Sequence, residues 1–276
     1  MDEVLRAHVE AWVGPIVEVD AVGRGATHIV EADAARVVVK RISAPRAVQP
    51  LLAVGRALAA TSPPLAPRAL GGFEDRGAGY VIWEFVEGAQ HPPGTPGWSS
   101  MWADAQTLLD RLAASELRPP WDLERLWLER VAAAPFADEP AERAREWLCA
   151  RAPDGEPRLA HGDFSPQNIV LARGVARLID WEEVGVARPG FDAGWLLAQN
   201  RAGAGPRLPQ PVLEDTLTGR GVSRDDLRWF EGLGLLRLLW RAETLTIADD
   251  VRPRVLAGVR QAIVGWLAEA DPTRRR

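Results

Sequence analysis

The sequence predicts an α+β fold with two lobes: a small N-terminal antiparallel β-lobe carrying one helix, and a larger, mainly helical C-terminal lobe. Three observations lead to this prediction. Short runs rich in Val and Ile, separated by turn residues, fill the first 88 residues. A segment rich in proline and glycine follows at 91–97, and beyond it apolar residues recur at helical spacing. The lobes are therefore expected to span 1–88 and 89–276.

The first lobe is expected to contain a five-stranded antiparallel sheet with one helix. Three strands are predicted at 15–22, 27–33 and 35–42, where the short connections indicate two successive hairpins. A helix is predicted from about 47 to 60, because the breaker-rich TSPPLAP follows it. The runs PRALGGFED and YVIWEFVEG are predicted to be two more strands, which complete the sheet near Gly88.

The second lobe is expected to be helical on both sides of a small β segment. Helices are predicted at 99–115, 121–131 and 141–150, where apolar residues recur every three or four positions. The runs RLA, IVLA and VARLID then predict short strands around the motif HGDFSPQN at 161–168. Three further helices are predicted in GFDAGWLLAQN, in a long segment that opens at Ser223, and in VRPRVLAGVRQAIVGWLAE.

The composition limits the functional classes. A formal net charge of −5 argues against a general nucleic-acid-binding protein, which would carry a basic balance or a basic stripe. Cys149, the single cysteine, cannot form an internal disulfide, which favours a reducing environment. Residues 1–12 lack the apolar stretch of a signal peptide, and Arg237 interrupts the apolar run GLGLLRLLW well short of bilayer length. We therefore expect a cytoplasmic monomer or homodimer that binds neither nucleic acid nor membrane.

The use of basic residues is also informative. The chain contains one lysine, Lys40, among 33 basic residues, so all the others are arginine. A compact ammonium and a planar guanidinium are not interchangeable at a tight phosphate site. Lys40 is therefore a candidate functional residue, and chance retention of a surface lysine is the alternative.

A polar motif in the middle of the chain suggests a metal and phosphate site. Asp163 and Asn168 lie five residues apart in HGDFSPQN, and Asp180 follows twelve residues later at the end of an apolar run. Phosphoryl transfer requires cations that neutralise the phosphates and a carboxylate near the attacking hydroxyl. Carboxylate and amide oxygens are ligands that magnesium prefers. The predicted hairpin IVLARGVARLID would bring Asp180 back toward Asn168, whereas the alternative for the motif is a capped polar turn.

Together these features resemble a known family. The lysine that ends VVVK, the H-x-D-x-x-x-x-N motif, I-D-W and a later F-D occur in the order found in the aminoglycoside phosphotransferase and choline kinase family, relatives of the protein kinases. The resemblance covers about residues 15–200 and implies a bilobal protein-kinase-like fold that uses ATP and Mg²⁺. It implies that Lys40 contacts the α- and β-phosphates, and that Asp163 orients the acceptor hydroxyl and takes its proton. Asn168 and Asp180 would hold the magnesium.

The resemblance also implies supporting roles for other residues. His161 would pin the catalytic loop by hydrogen bonds, and Asp192 resembles a buried aspartate that braces the same loop. The nucleotide would be bound by a turn over its phosphates, by a backbone segment that reads the adenine edge and by one aromatic side chain. These positions are Gly23, Arg24 and Gly25 in the turn, Glu84 and Val86 in the backbone segment, and Trp83 in the pocket. A simple hairpin turn is the alternative for the glycine pair.

One position departs from the family pattern. Kinases hold the third-strand lysine with a glutamate on the following helix, but here RAVQPLLAVGRALAA contains no acidic residue. Gln49 is the nearest polar candidate, and a neutral amide would hold the ammonium more weakly than a carboxylate. The sequence leaves three explanations open: phosphate and metal alone position Lys40, a carboxylate from elsewhere reaches it, or the nucleotide site is degraded.

The functional prediction is an ATP-dependent small-molecule phosphotransferase that transfers the γ-phosphate to a hydroxyl of its acceptor. An amine-bearing antibiotic is the expected acceptor, since the acidic and tryptophan-rich C-terminal lobe suits a cation. Core packing is the favoured role for any one of these tryptophans, and ordinary surface charge is the alternative for the acidic residues. A metabolic kinase for choline, an amino alcohol or a sugar is one alternative, and a nucleotide-binding pseudokinase is another. A protein kinase is disfavoured because the short stretch between Asp180 and Asp192 leaves little room for an activation segment. The pattern does not distinguish ATP from GTP.

Overall fold

A computed structural model describes residues 1–22, 26–33, 35–42, 47–90, 97–136, 138–204, 208, 210–218, 222–244 and 251–270. They form two compact units. The first comprises Met1–Gln90 and Asn168–Glu183, and the second comprises His91–Gln167 and Val184–Arg276. The chain returns from the second unit to the first inside the motif HGDFSPQN, between Gln167 and Asn168.

The described elements confirm the predicted α+β class. In chain order they are α1 (Glu3–Val13), β1 (Ile16–Val22), β2 (Thr27–Ala32), β3 (Arg36–Ile42), α2 (Val48–Ala59), β4 (Ala69–Asp75), β5 (Ala78–Glu84), α3 (Trp98–Ala114), α4 (Leu123–Ala133), α5 (Glu139–Cys149), β6 (Arg158–Ala160), β7 (Ile169–Ala172), β8 (Val175–Leu178), β9 (Gly185–Ala187), α6 (Phe191–Arg201), α7 (Gln210–Leu217), α8 (Arg224–Thr244) and α9 (Arg252–Ala270).

The first unit is built on the five-stranded antiparallel sheet that the sequence predicts. Its strands lie in the order β1-β2-β3-β5-β4, and helix α2 packs on β4 and β5. Arg76 and Gly77 connect β4 to β5 with φ values of 48° and 77°, as two-residue hairpin turns require. The hairpin of β7 and β8 completes the unit, and Arg173 and Gly174 form its turn, as predicted.

Helix α1 is not among the predicted elements. Asp2 caps it by accepting a hydrogen bond from the backbone N–H of Leu5 at 2.9 Å. Leu5, Val9 and Val13 recur every four residues on one face, and they are buried in the apolar core of the sheet. A helix of 11 residues depends on such packing more than on its own propensity. The sequence-based prediction considered residues 1–12 only as a possible leader peptide and therefore did not include α1.

The second unit contains helices α3 to α9 and a two-stranded antiparallel sheet of β6 and β9. Strand β9 and helix α7 are additions to the predicted elements, and both are short. Aromatic side chains fill much of the core, and Trp127, Trp229 and Trp266 are buried in it. Among the described residues, no helix is both long enough and apolar enough to cross a membrane.

Helices α6 and α8 approach closely because of a glycine. A Cβ atom added at Gly194 on α6 would collide with Phe230 on α8, so the backbone contact requires the missing side chain. This contact matters for the site described next. Helix α6 carries Asp192 and Trp195, and the facing helix α8 carries Arg237.

Candidate active site

A cavity of about 500 Å³ lies within the first unit, lined by β2, β3, the segment after β5 and the β7–β8 hairpin. This volume is in the range of small-molecule sites, and such sites combine apolar walls with a few polar groups. Four of the residues predicted to bind a nucleotide line this cavity, namely Lys40, Trp83, Glu84 and Val86. Asp180 lines it too. The predicted phosphate turn, Gly23, Arg24 and Gly25, lies outside the described residues.

Lys40 contacts two carboxylates. Its ammonium forms ion pairs with Asp180 and with Glu182, the latter at 2.6 Å between Nζ and Oε2. Glu182 lies in a single helical turn directly after Asp180, whereas α2 carries no acidic side chain. The second of the three explanations left open by the sequence therefore applies, because a carboxylate from elsewhere reaches the lysine.

The hairpin places the backbone of Asn168 beside the residue that precedes Asp180, so the two predicted magnesium ligands lie on neighbouring strand ends. The backbone N–H of Ile179 donates to the carbonyl of Asn168 at 2.8 Å, and Asp180 follows at once in a left-handed conformation with φ of 73°. A non-glycine residue in this region is uncommon and often marks a functional position. Within the described ranges, no group of three or more His, Cys, Asp or Glu side chains is arranged to hold a metal. Magnesium normally takes only one or two carboxylates plus phosphate oxygens and water, so this donor pair fits that ion.

In the second unit, Asp192 is hydrogen-bonded to the loop that begins the motif. Its two carboxylate oxygens accept hydrogen bonds from the backbone N–H groups of His161, at 2.8 Å, and Gly162, at 2.9 Å. Burial raises the pKa of Asp192, and the nearby His161 and the two N–H donors offset part of that effect. His161 is fully buried and its Nδ1 accepts from the N–H of Asp163 at 3.2 Å. Bracing of the loop stays the predicted role of Asp192 and His161, and these are the contacts through which they would act.

Asp163 lies among hydrogen-bond donors and positive charges. Its Oδ1 accepts from Trp195 Nε1 at 2.9 Å and lies 3.4 Å from Arg241 Nη1 and 3.8 Å from Arg237 Nη2. Burial opposes the charged form of the carboxylate, but the arginines outweigh it, with smaller contributions from His161 and Trp195. The pKa of Asp163 is therefore lowered, and the group is ionised at neutral pH.

Arg237 is a site residue that the sequence analysis did not identify. Its side chain is 1% exposed and its guanidinium lies over two indole rings, 4.4 Å from the centroid of Trp127 and 4.1 Å from that of Trp195. It donates to the carbonyl of Gly162, next to Asp163. The sequence did contain a signal, since an arginine interrupts the apolar run GLGLLRLLW at a core position of the helix. A charge placed there needs a buried partner.

Comparisons with solved structures identify proteins of similar fold. The choline kinase LicA from Streptococcus pneumoniae is 12% identical, with a TM-score of 0.69 over 95% of this chain and 98% of that one. A thermostable mutant of the aminoglycoside phosphotransferase APH(4)-Ia is 14% identical, with a TM-score of 0.74 over 96% and 98%. Its D198A form, solved in a ternary complex with ADP and hygromycin B, is 13% identical, with a TM-score of 0.70 over 95% and 97%.

The neighbours confirm the protein-kinase-like fold that the sequence resemblance implied, since they cover nearly the whole chain. At these identities they establish the fold alone. No curated protein sequence matches the chain. The model of the phosphotransferase enzyme family matches residues 19–272, which is most of the sequence. By this match, the chain belongs to the phosphotransferase enzyme family.

Proposed function

We propose that this protein is an ATP-dependent small-molecule kinase that transfers the γ-phosphate to a hydroxyl of its acceptor. The observation that carries the proposal is the position of Lys40, the only lysine in the chain. It lines a cavity of nucleotide size and is ion-paired with Asp180, one of the two predicted magnesium ligands. A cation and a metal-binding carboxylate at one cavity are what a phosphate chain requires.

The first unit would bind the nucleotide. The backbone at Glu84 and Val86 would meet the adenine edge, with Trp83 lining the pocket and Lys40 contacting the α- and β-phosphates. The Lys40 ion pairs with Asp180 and Glu182 keep its ammonium oriented before the nucleotide arrives. Magnesium, held by Asn168 and Asp180, would neutralise charge on the phosphates. This use of ATP and magnesium is the expectation drawn from the sequence.

The second unit would supply the group that handles the acceptor hydroxyl. The acceptor oxygen attacks the γ-phosphorus, the bond from that phosphorus to the bridging oxygen breaks, ADP leaves, and the hydroxyl proton passes to Asp163. A carboxylate with a lowered pKa is ionised but is a weak base. Asp163 therefore orients the hydroxyl early and takes the proton late, once the new oxygen–phosphorus bond is forming, as loose transition states for phosphoryl transfer require.

The acceptor class is the least constrained part of the proposal. An amine-bearing antibiotic follows from the family resemblance, and a choline, amino-alcohol or sugar acceptor follows from it equally. A nucleotide-binding pseudokinase was motivated by the missing acid on α2. The ion pair between Glu182 and Lys40 weakens the argument for a pseudokinase, because the lysine has a carboxylate partner although α2 supplies none.

A turnover screen with magnesium and ATP tests the proposal. The acceptors are aminoglycosides, peptide and nucleoside antibiotics, choline, amino alcohols and sugars. We expect turnover on one class, and a fall of about 10²- to 10⁴-fold in Asp163→Asn, which removes the base but keeps the side-chain shape. Binding of ATP, measured by calorimetry, should persist in Asp163→Asn and weaken in Lys40→Met. Intact ATP binding without turnover on any acceptor, with hydroxy acids and phosphate esters of alcohols added to the panel, would support the pseudokinase instead.

A further inference from the structure

Three arginines and three tryptophans of the second unit pack on one another, and three of them, Arg237, Arg241 and Trp195, contact Asp163. Arg237 and Arg241 lie one helical turn apart on α8, so both side chains extend from the same face toward the carboxylate. The third, Arg130 on α4, lies over the rings of Trp127 and Trp240, 4.7 Å and 5.5 Å from their centroids. Arg237 and Arg241 also lie over Trp127 and Trp195. We call this set the arginine–tryptophan cluster.

The two arginines nearest Asp163 differ in their access to solvent. The side chain of Arg237 is 1% exposed, whereas those of Arg241 and Asp163 are each 24% exposed. Arg237 therefore belongs to the interior, where it holds the loop through the carbonyl of Gly162. The side chains of Arg241 and Asp163 are both partly exposed and their polar atoms lie 3.4 Å apart, so an acceptor that reaches one also meets the other.

This proximity restricts the charge of the acceptor. A hydroxyl that donates to Asp163 lies about 2.6–3.2 Å from its oxygen. Oδ1 already accepts from Trp195 and lies 3.4 Å from Arg241 Nη1, so a hydroxyl on either oxygen of this carboxylate has its neighbouring atoms within several ångströms of the guanidinium. A positive charge on those atoms would be repelled by the guanidinium groups of Arg241 and Arg237. A planar oxyanion would instead match the forked geometry of a guanidinium, which binds carboxylates and phosphates through two parallel N–H groups.

We propose that the acceptor carries an oxyanion, a carboxylate or a phosphate ester, close to the hydroxyl that is phosphorylated, and that Arg241 binds this group beside the indole of Trp195. The inference rests on the proposed kinase function and narrows its acceptor class. It runs against the cationic acceptor expected from the acidic C-terminal lobe, since the charges nearest Asp163 are arginines. An acceptor with an amine is compatible only when the amine is remote from this hydroxyl or is balanced by the oxyanion.

The test uses acceptors that share a skeleton and differ in charge. One set is ethanolamine, glycolamide and glycolate, and the other is glycerol, glycerate and glycerol phosphate. Transfer from magnesium–ATP is measured for the wild-type chain and for Arg241→Met. We expect the glycolate, glycerate or glycerol phosphate members to have the highest kcat/KM. We expect Arg241→Met to lower the kcat/KM of the anionic members mainly through KM, and by a factor at least about tenfold larger than for the neutral members. The better of glycerate and glycerol phosphate shows which oxyanion is preferred.

Arg260→Met is the matched control. Arg260 pairs with Asp138 and Glu243 on a half-exposed part of the same unit, so its loss removes a guanidinium without touching Asp163. If no member of either set is turned over, binding of glycerate and glycerol phosphate to the ADP-loaded chain is measured by calorimetry instead. Binding that weakens at least about tenfold in Arg241→Met supports the proposal, and binding that is absent or unchanged overturns it.

Two kinds of failure can be distinguished. A preference for ethanolamine, or equal kcat/KM for the anionic members in wild type and Arg241→Met, would overturn the oxyanion proposal while leaving the kinase function intact. If the wild-type chain does not bind ATP, the proposed kinase function itself is wrong.

Discussion

Replacing Arg237 with methionine should both destabilise the protein and impair its catalytic loop. Methionine fills the slot between the two indole rings but has no charge. A hydrogen bond to a charged group contributes about 1.5–3 kcal/mol, and a desolvated cation–π contact contributes about 2 kcal/mol for each ring. Losing the guanidinium also removes its desolvation penalty, which is several kcal/mol for a buried ion. The balance is a loss of about 3 kcal/mol in the free energy of unfolding.

The effect on turnover follows from the contact with Gly162. A loop displaced by about 1 Å can lose about 10²-fold in rate. We therefore expect kcat of Arg237→Met to fall by that order, with little change in KM for ATP, because Arg237 belongs to the second unit and the nucleotide cavity to the first. Arg237→Lys keeps the positive charge but loses the forked guanidinium, so its kcat should lie between those of the wild-type chain and Arg237→Met.

The assays are urea unfolding followed by tryptophan fluorescence, steady-state kinetics, and hydrogen exchange of the peptide around Gly162. The control is Arg260→Met, for which a change within about 1 kcal/mol is expected, because its ion pairs are half-exposed. If Arg237→Met matched this control in stability, exchange and kcat, the argument that the buried guanidinium holds the loop would be wrong.

Three further predictions follow from the site. Removing the positive charge of Arg241 with Arg241→Met should raise the pKa of Asp163, so the acidic limb of the kcat/KM profile should move to higher pH; an unmoved limb would contradict the electrostatic account. Glu182→Gln should loosen Lys40 and weaken ATP binding by about threefold to tenfold in calorimetry, whereas Glu31→Gln, in an exposed ion pair of the same sheet, should not. Gly194→Ala should cost about 1–3 kcal/mol in urea unfolding, because its Cβ would collide with Phe230; an unchanged midpoint would show that α6 and α8 can move apart.

Local chemistry made most of the fold predictable. The runs that became β2 and β3 are rich in β-branched residues, and Arg173 and Gly174 formed the expected turn of the β7–β8 hairpin. Helix α1 was missed because its stability comes from burying three apolar residues against a sheet, which is a tertiary effect. Strand β9 was missed because three residues are too few to show an alternating pattern and only one of them, Val186, favours strands.

The site shows the same division between local and long-range information. Asp163, Asn168 and Asp180 could be proposed because they lie in a compact motif with recognisable spacing. The partner of Lys40 could not be located, since Glu182 is far from it along the chain and contacts it only after folding. Arg237 and Arg241 lie more than 70 residues beyond Asp163, and no local pattern joins them to it.

The isolation of Lys40 among arginines has a practical consequence. Apart from the α-amine of the chain, it is the only primary amine that an acylating reagent can modify, and only 13% of its side chain is exposed in the cavity. The extent of acylation at this one position, read by mass spectrometry on a single peptide, therefore reports whether the cavity is filled. Protection by candidate nucleotides could be ranked in this way, ATP against GTP included, before any acceptor has been identified.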